Sequence, residues 1–327
     1  MKVKSILDQF KNASVLVIGD LILDQYLIGS TTRLSPEAPV PIVDVNQDYW
    51  VPGGSLNVAN NLRELGATVY PCGIVGRDDA ADRLISIVEK MEMDSTGIIK
   101  DGPNRPTTVK TRVISAGHHI VRIDKENKAP ITLHERVKLV GYIHHVAECC
   151  KLDAIIIEDY GKGVIDSTII SKIMKVANEF DIPVLIDPKT HHYSSFKGAH
   201  IITPNKKEAY EASKAKKEDS VESVAMSLLE ITKAKNVLIT LSEDGMLLAN
   251  NKGTITYIDT VAQEVADVSG AGDTVISLIA LCLAIGIDTE QACRIANVGA
   301  GIVVGKSGTA IVERKELSSA LRKLKTI

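Results

Sequence analysis

The apolar positions of the chain fall into short unbroken runs separated by stretches of helical period. The first run, Ser14-Val-Leu-Val-Ile-Gly-Asp20, has the pattern of a strand buried on both faces of a parallel sheet. Similar runs predict strands over residues 68–75, 153–158, 183–187 and 200–203, and another beginning at Asn236. Between and after them, helices are predicted over residues 79–93, 133–150, 166–180, 275–285 and 290–304, with a polar terminal helix over 314–325. Gly53 and Gly54 open a further helix that closes at Gly66. Residues 246–249 and 254–258 read as antiparallel edge strands. This alternation predicts an α/β fold of three layers, with helices on both faces of a mostly parallel central sheet. No repeat, low-complexity tract or linker divides residues 1–327, so a single domain is expected.

Two stretches break the alternation. Residues 25–50 are polar and carry Pro36, Pro39 and Pro41, the last of these inside Val40-Pro-Ile-Val-Asp-Val45; prolines exclude a central strand position and suit an edge. Residues 107–124 alternate as a hairpin. Together they are expected to form a small separate sheet, a lid over the strand ends that carries Arg33, Lys110, Arg112 and Arg122. Taken singly, each of those cations reads as part of a solvated face. An exposed apolar face on such a lid suggests a homodimer formed through it.

Composition narrows the class. With 45% hydrophobic and 24% charged residues the chain is an ordinary globular protein, and 4% aromatic residues imply an aliphatic core. A net charge of -3 gives no support for nucleic-acid or membrane partners. The five cysteines show no CxxC spacing and read as reduced thiols. Residues 1–11 lack an apolar signal core, and no run reaches the roughly 18 apolar residues of a membrane span. A cytoplasmic location is expected.

The chemistry concentrates at strand ends and around Asp267-Val-Ser-Gly-Ala-Gly-Asp-Thr274. Gly270 and Gly272 let the backbone turn tightly and present amides to an anion, and the helix that follows adds its dipole. Asp273 is misplaced for phosphate binding and suits a general base for an attacking hydroxyl, although a helix cap explains the same residues. Asp20 and Asp24 follow the first strand, where open α/β sheets bind ligands; Asp24 is the better placed for sugar hydroxyls, and Asp20 can equally serve turn chemistry. Asn57 sits beside the backbone of Gly53 and Gly54. The rim also receives Glu158-Asp-Tyr-Gly-Lys-Gly163 and Asp187-Pro-Lys189. Asn205 and Glu208 share a helical face, where Glu208 can orient hydrated Mg²⁺; a capping box fits the spacing as well. The pairs His118-His119, His144-His145 and His191-His192 lack metal-site spacing and read as structural or surface residues. A dinucleotide-binding oxidoreductase would need GxGxxG after the first strand, which Gly19-Asp-Leu-Ile-Leu-Asp24 lacks. A sugar-phosphate sensor would have no use for an acid at position 273.

Taken in order, the Gly-Asp end of the first strand, Gly53-Gly54, Asn205 to Glu208 and Gly270 to Asp273 resemble the ribokinase-like (PfkB) sugar kinases. Arg33-Leu-Ser-Pro-Glu-Ala-Pro-Val-Pro41 and Asp159-Tyr-Gly-Lys-Gly163 narrow the resemblance to the kinases of D-glycero-β-D-manno-heptose 7-phosphate, which supply ADP-heptose for lipopolysaccharide. The resemblance implies a stand-alone kinase using ATP and Mg²⁺ to phosphorylate the anomeric O1; another sugar, sugar phosphate or nucleoside acceptor is the alternative. It also implies roles. Asp273 is the base, and Gly270, Ala271 and Gly272 form the anion hole. Asp24, Gly53, Gly54, Asn57 and Asp159 hold the sugar. Asn205, Lys206, Lys207, Glu208, Ser242, Gly245 and Asn297 border the nucleotide or its metal. Lys110, Arg112, Arg122 and Lys162 are candidates for the substrate's phosphate, arginine offering bidentate geometry.

Overall fold

The computed structural model describes residues 3–100, 105–189, 192–262, 265–306, 308 and 310–323. Its strands are β1 (Ser14–Gly19), β2 (Leu21–Leu34), β3 (Pro41–Gly54), β4 (Thr68–Val75), β5 (Ile98–Lys100), β6 (Thr108–Ser115), β7 (His118–Lys125), β8 (Ala154–Glu158), β9 (Val184–Asp187), β10 (Ile201–Ile202), β11 (Asn236–Thr240), β12 (Met246–Asn250) and β13 (Ile255–Ile258). Its helices are α1 (Val3–Gln9), α2 (Ser55–Glu64), α3 (Asp79–Lys90), α4 (Leu133–Cys149), α5 (Ser167–Glu179), α6 (Lys206–Ser213), α7 (Val221–Thr232), α8 (Ala271–Ala284), α9 (Thr289–Val303) and α10 (Arg314–Lys323). The predicted end of the last helix at Lys325 lies outside the described residues.

Among the described residues, the large sheet has nine strands in the order β13-β12-β11-β10-β9-β8-β1-β4-β5, parallel from β5 to β11, with β12 and β13 antiparallel at the far edge. Side chains alternate across it as the pleat requires. On β1, Val15 and Val17 join the core beneath α2, α8 and α9, whereas Leu16 and Ile18 join the one beneath α4, α5 and α7. All four are fully buried, which is why β1 shows no polar alternation. Among the described residues, no helix is long and apolar enough to cross a membrane.

The second sheet has the order β3-β2-β6-β7 and occupies the proline-bearing and hairpin stretches. β3, which begins at Pro41 and also contains Pro52, is an edge strand. This sheet reaches further than residues 25–50: β2 starts at Leu21, one residue after β1, and β3 runs to Gly54. The chain therefore crosses from one sheet to the other at Asp20, where the first apolar run ends. Short β5 was also unexpected from the sequence. On its outer strand, every residue of β7 is exposed.

The start of α8 requires a correction. The apolar run places it at Val275, but it begins at Ala271 with Gly270 as its N-cap at φ 83, a left-handed conformation that favours glycine. Gly272 and Asp273 therefore belong to the first helical turn.

Candidate active site

The order of strands fixes the layout of the site. Moving outward from β1, the ends of β8, β9, β10 and β11 and the loops that follow them bring Asp159 and Tyr160, then Asp187 and Lys189, then Thr203 and Asn205, then Thr240 and Ser242 to one carboxyl edge. They line a cavity of about 790 Å³, closed on the small-sheet side by Asp24, Gly54, Lys110 and Arg112 and floored by the first turn of α8. A cleft at the carboxyl ends of parallel strands is where open α/β sheets bind ligands.

Asp273 stands where these parts meet. A side chain at the third helical position commonly reaches back to cap its own helix, but this carboxylate is turned elsewhere. Its Oδ2 accepts from Asn57 Nδ2 at 2.6 Å, and its Oδ1 accepts from the Tyr160 hydroxyl at 2.8 Å. Burial raises the Asp273 pKa above the ordinary carboxylate value; those two donors and nearby Lys189 pull it back toward the charged form. The neighbouring Ala271 amide donates to the Val268 carbonyl at 3.3 Å, so the anion-binding capacity of this turn falls to its other amides.

Behind Asp273 lies a group of acids. Carboxylate oxygens of Glu158, Asp187 and Asp273 lie within 4.8 Å of one another. Burial, then the charges of Asp187 and Asp273, push the Glu158 carboxyl far up; burial and Asp273 do the same to Asp187. Both Glu158 side-chain oxygens are buried without a hydrogen-bond partner. Such a set of hard oxygen donors suits a proton or a hard divalent cation. Among the described residues this acidic group is the one placed to hold a metal, and it contains no histidine. Of the histidine pairs, His118 and His119 lie on exposed β7, and His144 faces Glu148 and Glu179 at the surface; His191 lies outside the described residues.

The basic residues separate by their partners. Arg112 is held by Asp24 at 2.5 Å and lies over the Tyr26 ring, 5.3 Å from its centroid. Lys162 pairs with Glu126 at 2.5 Å, and Arg122 with Asp124 at 2.9 Å. Neither Lys162 nor Arg122 lines the cavity. Lys110 does, and it faces the Tyr160 ring at 5.9 Å rather than a paired carboxylate. Burial and then Lys162 lower its pKa, against the opposing pull of Asp24 and Asp124. Arg33, also expected over the strand ends, pairs with Asp44 at 3.7 Å in an exposed position.

On the far side, Asn205 caps α6: its Oδ1 accepts from the Glu208 amide, and Glu208 Oε2 accepts from the Asn205 amide, both at 3.0 Å. The capping box and a ligand-facing position coexist here, since both residues line the cavity. The other Glu208 oxygen lies 3.3 Å from Lys189 Nζ. Ser242, Gly245 and Asn297 also line this end. Lys206 and Lys207 do not; they are exposed, and Lys207 lies 3.9 Å from Glu211. Gly53 and Asn57 stand just behind the wall. A Cβ on Gly53 would run into Asp24 Oδ2, so glycine permits the approach that places that carboxylate.

Tyr160, Glu158, Asp187, Lys189 and Thr203 were not assigned from the sequence. Acids ending β8 and β9 were the available signal; which loop side chains turn inward had none.

A family model described as pfkB family carbohydrate kinase matches residues 12–316. The chain is 41% identical over 318 residues to the bifunctional protein HldE of Geotalea uraniireducens, covering 97% of this chain and 64% of that protein. It is 43% identical over 309 residues to that of Helicobacter hepaticus, covering 94% and 63%. It thus spans less than two thirds of the length of these two relatives. Among solved structures, Escherichia coli phosphofructokinase-2 in complex with potassium matches with a TM-score of 0.77 at 17% identity, covering 96% of this chain and 99% of that one. Arabidopsis thaliana ribokinase complexed with ribose and ATP matches with a TM-score of 0.73 at 17% identity, covering 95% and 98%. These two structures share the fold.

Proposed function

Because the chain belongs to the pfkB family of carbohydrate kinases, we propose that it transfers the γ-phosphoryl group of ATP to the anomeric O1 hydroxyl of D-glycero-β-D-manno-heptose 7-phosphate. In this reading Asp273 takes the O1 proton as the oxygen attacks phosphorus. The new O–P bond forms as the bond to the β-phosphate oxygen breaks, and ADP leaves. Asp24, Asp159 and Gly54 border the sugar, while Asn205, Ser242, Gly245 and Asn297 border the nucleotide. Phosphoryl transfer leaves the protein mainly the work of positioning and charge stabilisation. Amides of the first turn of α8 supply donors for the transferring group. Mg²⁺, for which Asp187, Glu158 and Glu208 offer oxygens, would neutralise phosphate charge.

The observation that carries the choice of a phosphorylated acceptor is Lys110: a cavity-lining cation with no ion-pair partner among the described residues, on the same side as Asp24. The sequences Arg33 to Pro41 and Asp159 to Gly163, which resemble those of the heptose 7-phosphate kinases, support the particular sugar. A coupled assay of ADP release across acceptors is the test. Heptose 7-phosphate is expected to be used far better than fructose, ribose or adenosine, and a preference for any of those would overturn the substrate assignment.

The reading includes a homodimer formed through the small sheet, on which Val45, Ile120, Val121 and Ile123 are exposed. Sedimentation at micromolar concentration is expected to give a dimer that Ile123→Lys converts to monomer; a monomeric wild type would remove this part.

A further inference from the structure

Two side chains from distant parts of the chain hold Asp273, and both lead back to one residue that contacts neither substrate side of the cavity. Asp20 is the single residue between β1 and β2 and is 1% exposed. Its Oδ2 accepts from the amides of Tyr160 at 2.8 Å and Lys162 at 3.0 Å, and its Oδ1 accepts from the amide of Val164 at 3.2 Å. Every second amide of the loop after β8 is thus tied to one carboxylate. The backbone of Asp20 is committed as well: its amide donates to Glu158 O at 3.3 Å, and its carbonyl accepts from Ser55 N at 3.2 Å at the start of α2. Gly54 makes that last approach possible, because a Cβ there would stand 2.5 Å from the Asp20 carbonyl oxygen.

We propose that Asp20 is a positioning residue for the catalytic base, setting through one arm the loop that presents the Tyr160 hydroxyl to Asp273 and through the other the helix that presents Asn57. The inference rests on the reading of Asp273 as the base. A sharp turn between two sheets could be made by many residues, and a turn acid normally stays at the surface. Here the acid is buried. Burial drives its carboxyl up to about 6, with the Lys162 amide opposing, Asp159 adding to the rise, and the Tyr160 and Val164 amides opposing. Three convergent N–H donors are what allow a carboxylate to remain there in its charged form. The donors belong to the segment that also carries Asp159 and Tyr160, so one group sets both of these lining positions. A base displaced by a fraction of an ångström loses the alignment on which transfer depends.

The test is a double-mutant cycle on kcat with Asp20→Asn and Tyr160→Phe. An amide cannot accept from all three loop N–H groups and must turn an N–H toward at least one of them. Asp20→Asn is expected to lower kcat about tenfold with KM for ATP little changed. In a Tyr160→Phe background the same substitution is expected to cost less than about threefold, since the arm it acts through is already cut. Additive losses, or a rise in KM for ATP without loss of kcat, would overturn the inference. Should Asp20→Asn not fold, amide exchange in the wild-type chain decides: Tyr160, Lys162 and Val164 are expected to be protected as a set, and rapid exchange at any of the three counts against the clamp. If Asp273→Asn itself retained full turnover, the base assignment would fall first, and the two failures are told apart by that variant.

Discussion

Asp273→Asn is expected to lower kcat by about 10²- to 10⁴-fold while ATP and sugar phosphate still bind, the range lost when a positioned proton acceptor is removed. The substitution is nearly isosteric, so the first turn of α8 and its free amides remain. What changes is the ability to take a proton from the acceptor hydroxyl, together with the carboxylate that Asn57 and Tyr160 now hold at 2.6 and 2.8 Å. Kinetics over a pH series give an independent reading of the same group. Burial raises the Asp273 pKa, and the active form of a base is the deprotonated one. Turnover in the wild type should therefore rise with pH through a value above the ordinary carboxylate range and fall on its acid side. In Asp273→Asn that acid limb should be absent from the residual rate. Turnover within a few-fold of wild type, with the limb retained, would show that another group takes the proton.

How much of this could be read from residues alone follows the physics of each signal. Continuous apolar runs revealed β1, β4, β8 and β9, because strands buried on both faces need no polar positions. Prolines placed β3 at an edge for the same local reason, the missing N–H. The start of α8 was misread because Gly270, Ala271 and Gly272 read as a turn, and glycine is a poor helix former. That turn is helical through its place in the tertiary structure: Asp273 bonds to Asn57 and Tyr160, partners 216 and 113 residues away. Asp20 shows the same limit. The first apolar run visibly ends at it, but nothing local says that the chain then enters a second sheet, and the donors that give it meaning follow β8. Glu158 and Asp187 were visible as acids at strand ends, but their mutual proximity and the unpartnered oxygens of Glu158 depend on β8 and β9 being neighbours.

Geometry also changes the order of the phosphate candidates, and it does so in a way that can be measured. Arginine is the better shape for a phosphate, which favours Arg112 on sequence grounds. In the folded chain the Arg112 guanidinium is already held by Asp24, and moving it to a ligand would leave that acid, itself 5% exposed, without its counter-charge. Lys162 and Arg122 are similarly engaged by Glu126 and Asp124. Lys110 sits on β6 directly opposite Asp24 of β2 and Asp124 of β7, inside the cavity. Its charge is disfavoured by burial and then by Lys162, a cost that an incoming phosphate dianion relieves. Lys110→Met keeps the length of the side chain and removes the charge. It is expected to reduce kcat/KM for the phosphorylated acceptor by about 10- to 100-fold, the scale of one lost hydrogen bond to a charged group. The rate with an unphosphorylated sugar should change little, because that substrate never made the contact. An equal fall with both acceptors would mean instead that Lys110 serves the transferring phosphoryl group or the fold, and no change with either would return the phosphate to Arg112. Separating kcat from KM sharpens the outcome: a contact made equally in the ground and transition states appears in KM, whereas one that orients O1 toward Asp273 also lowers kcat.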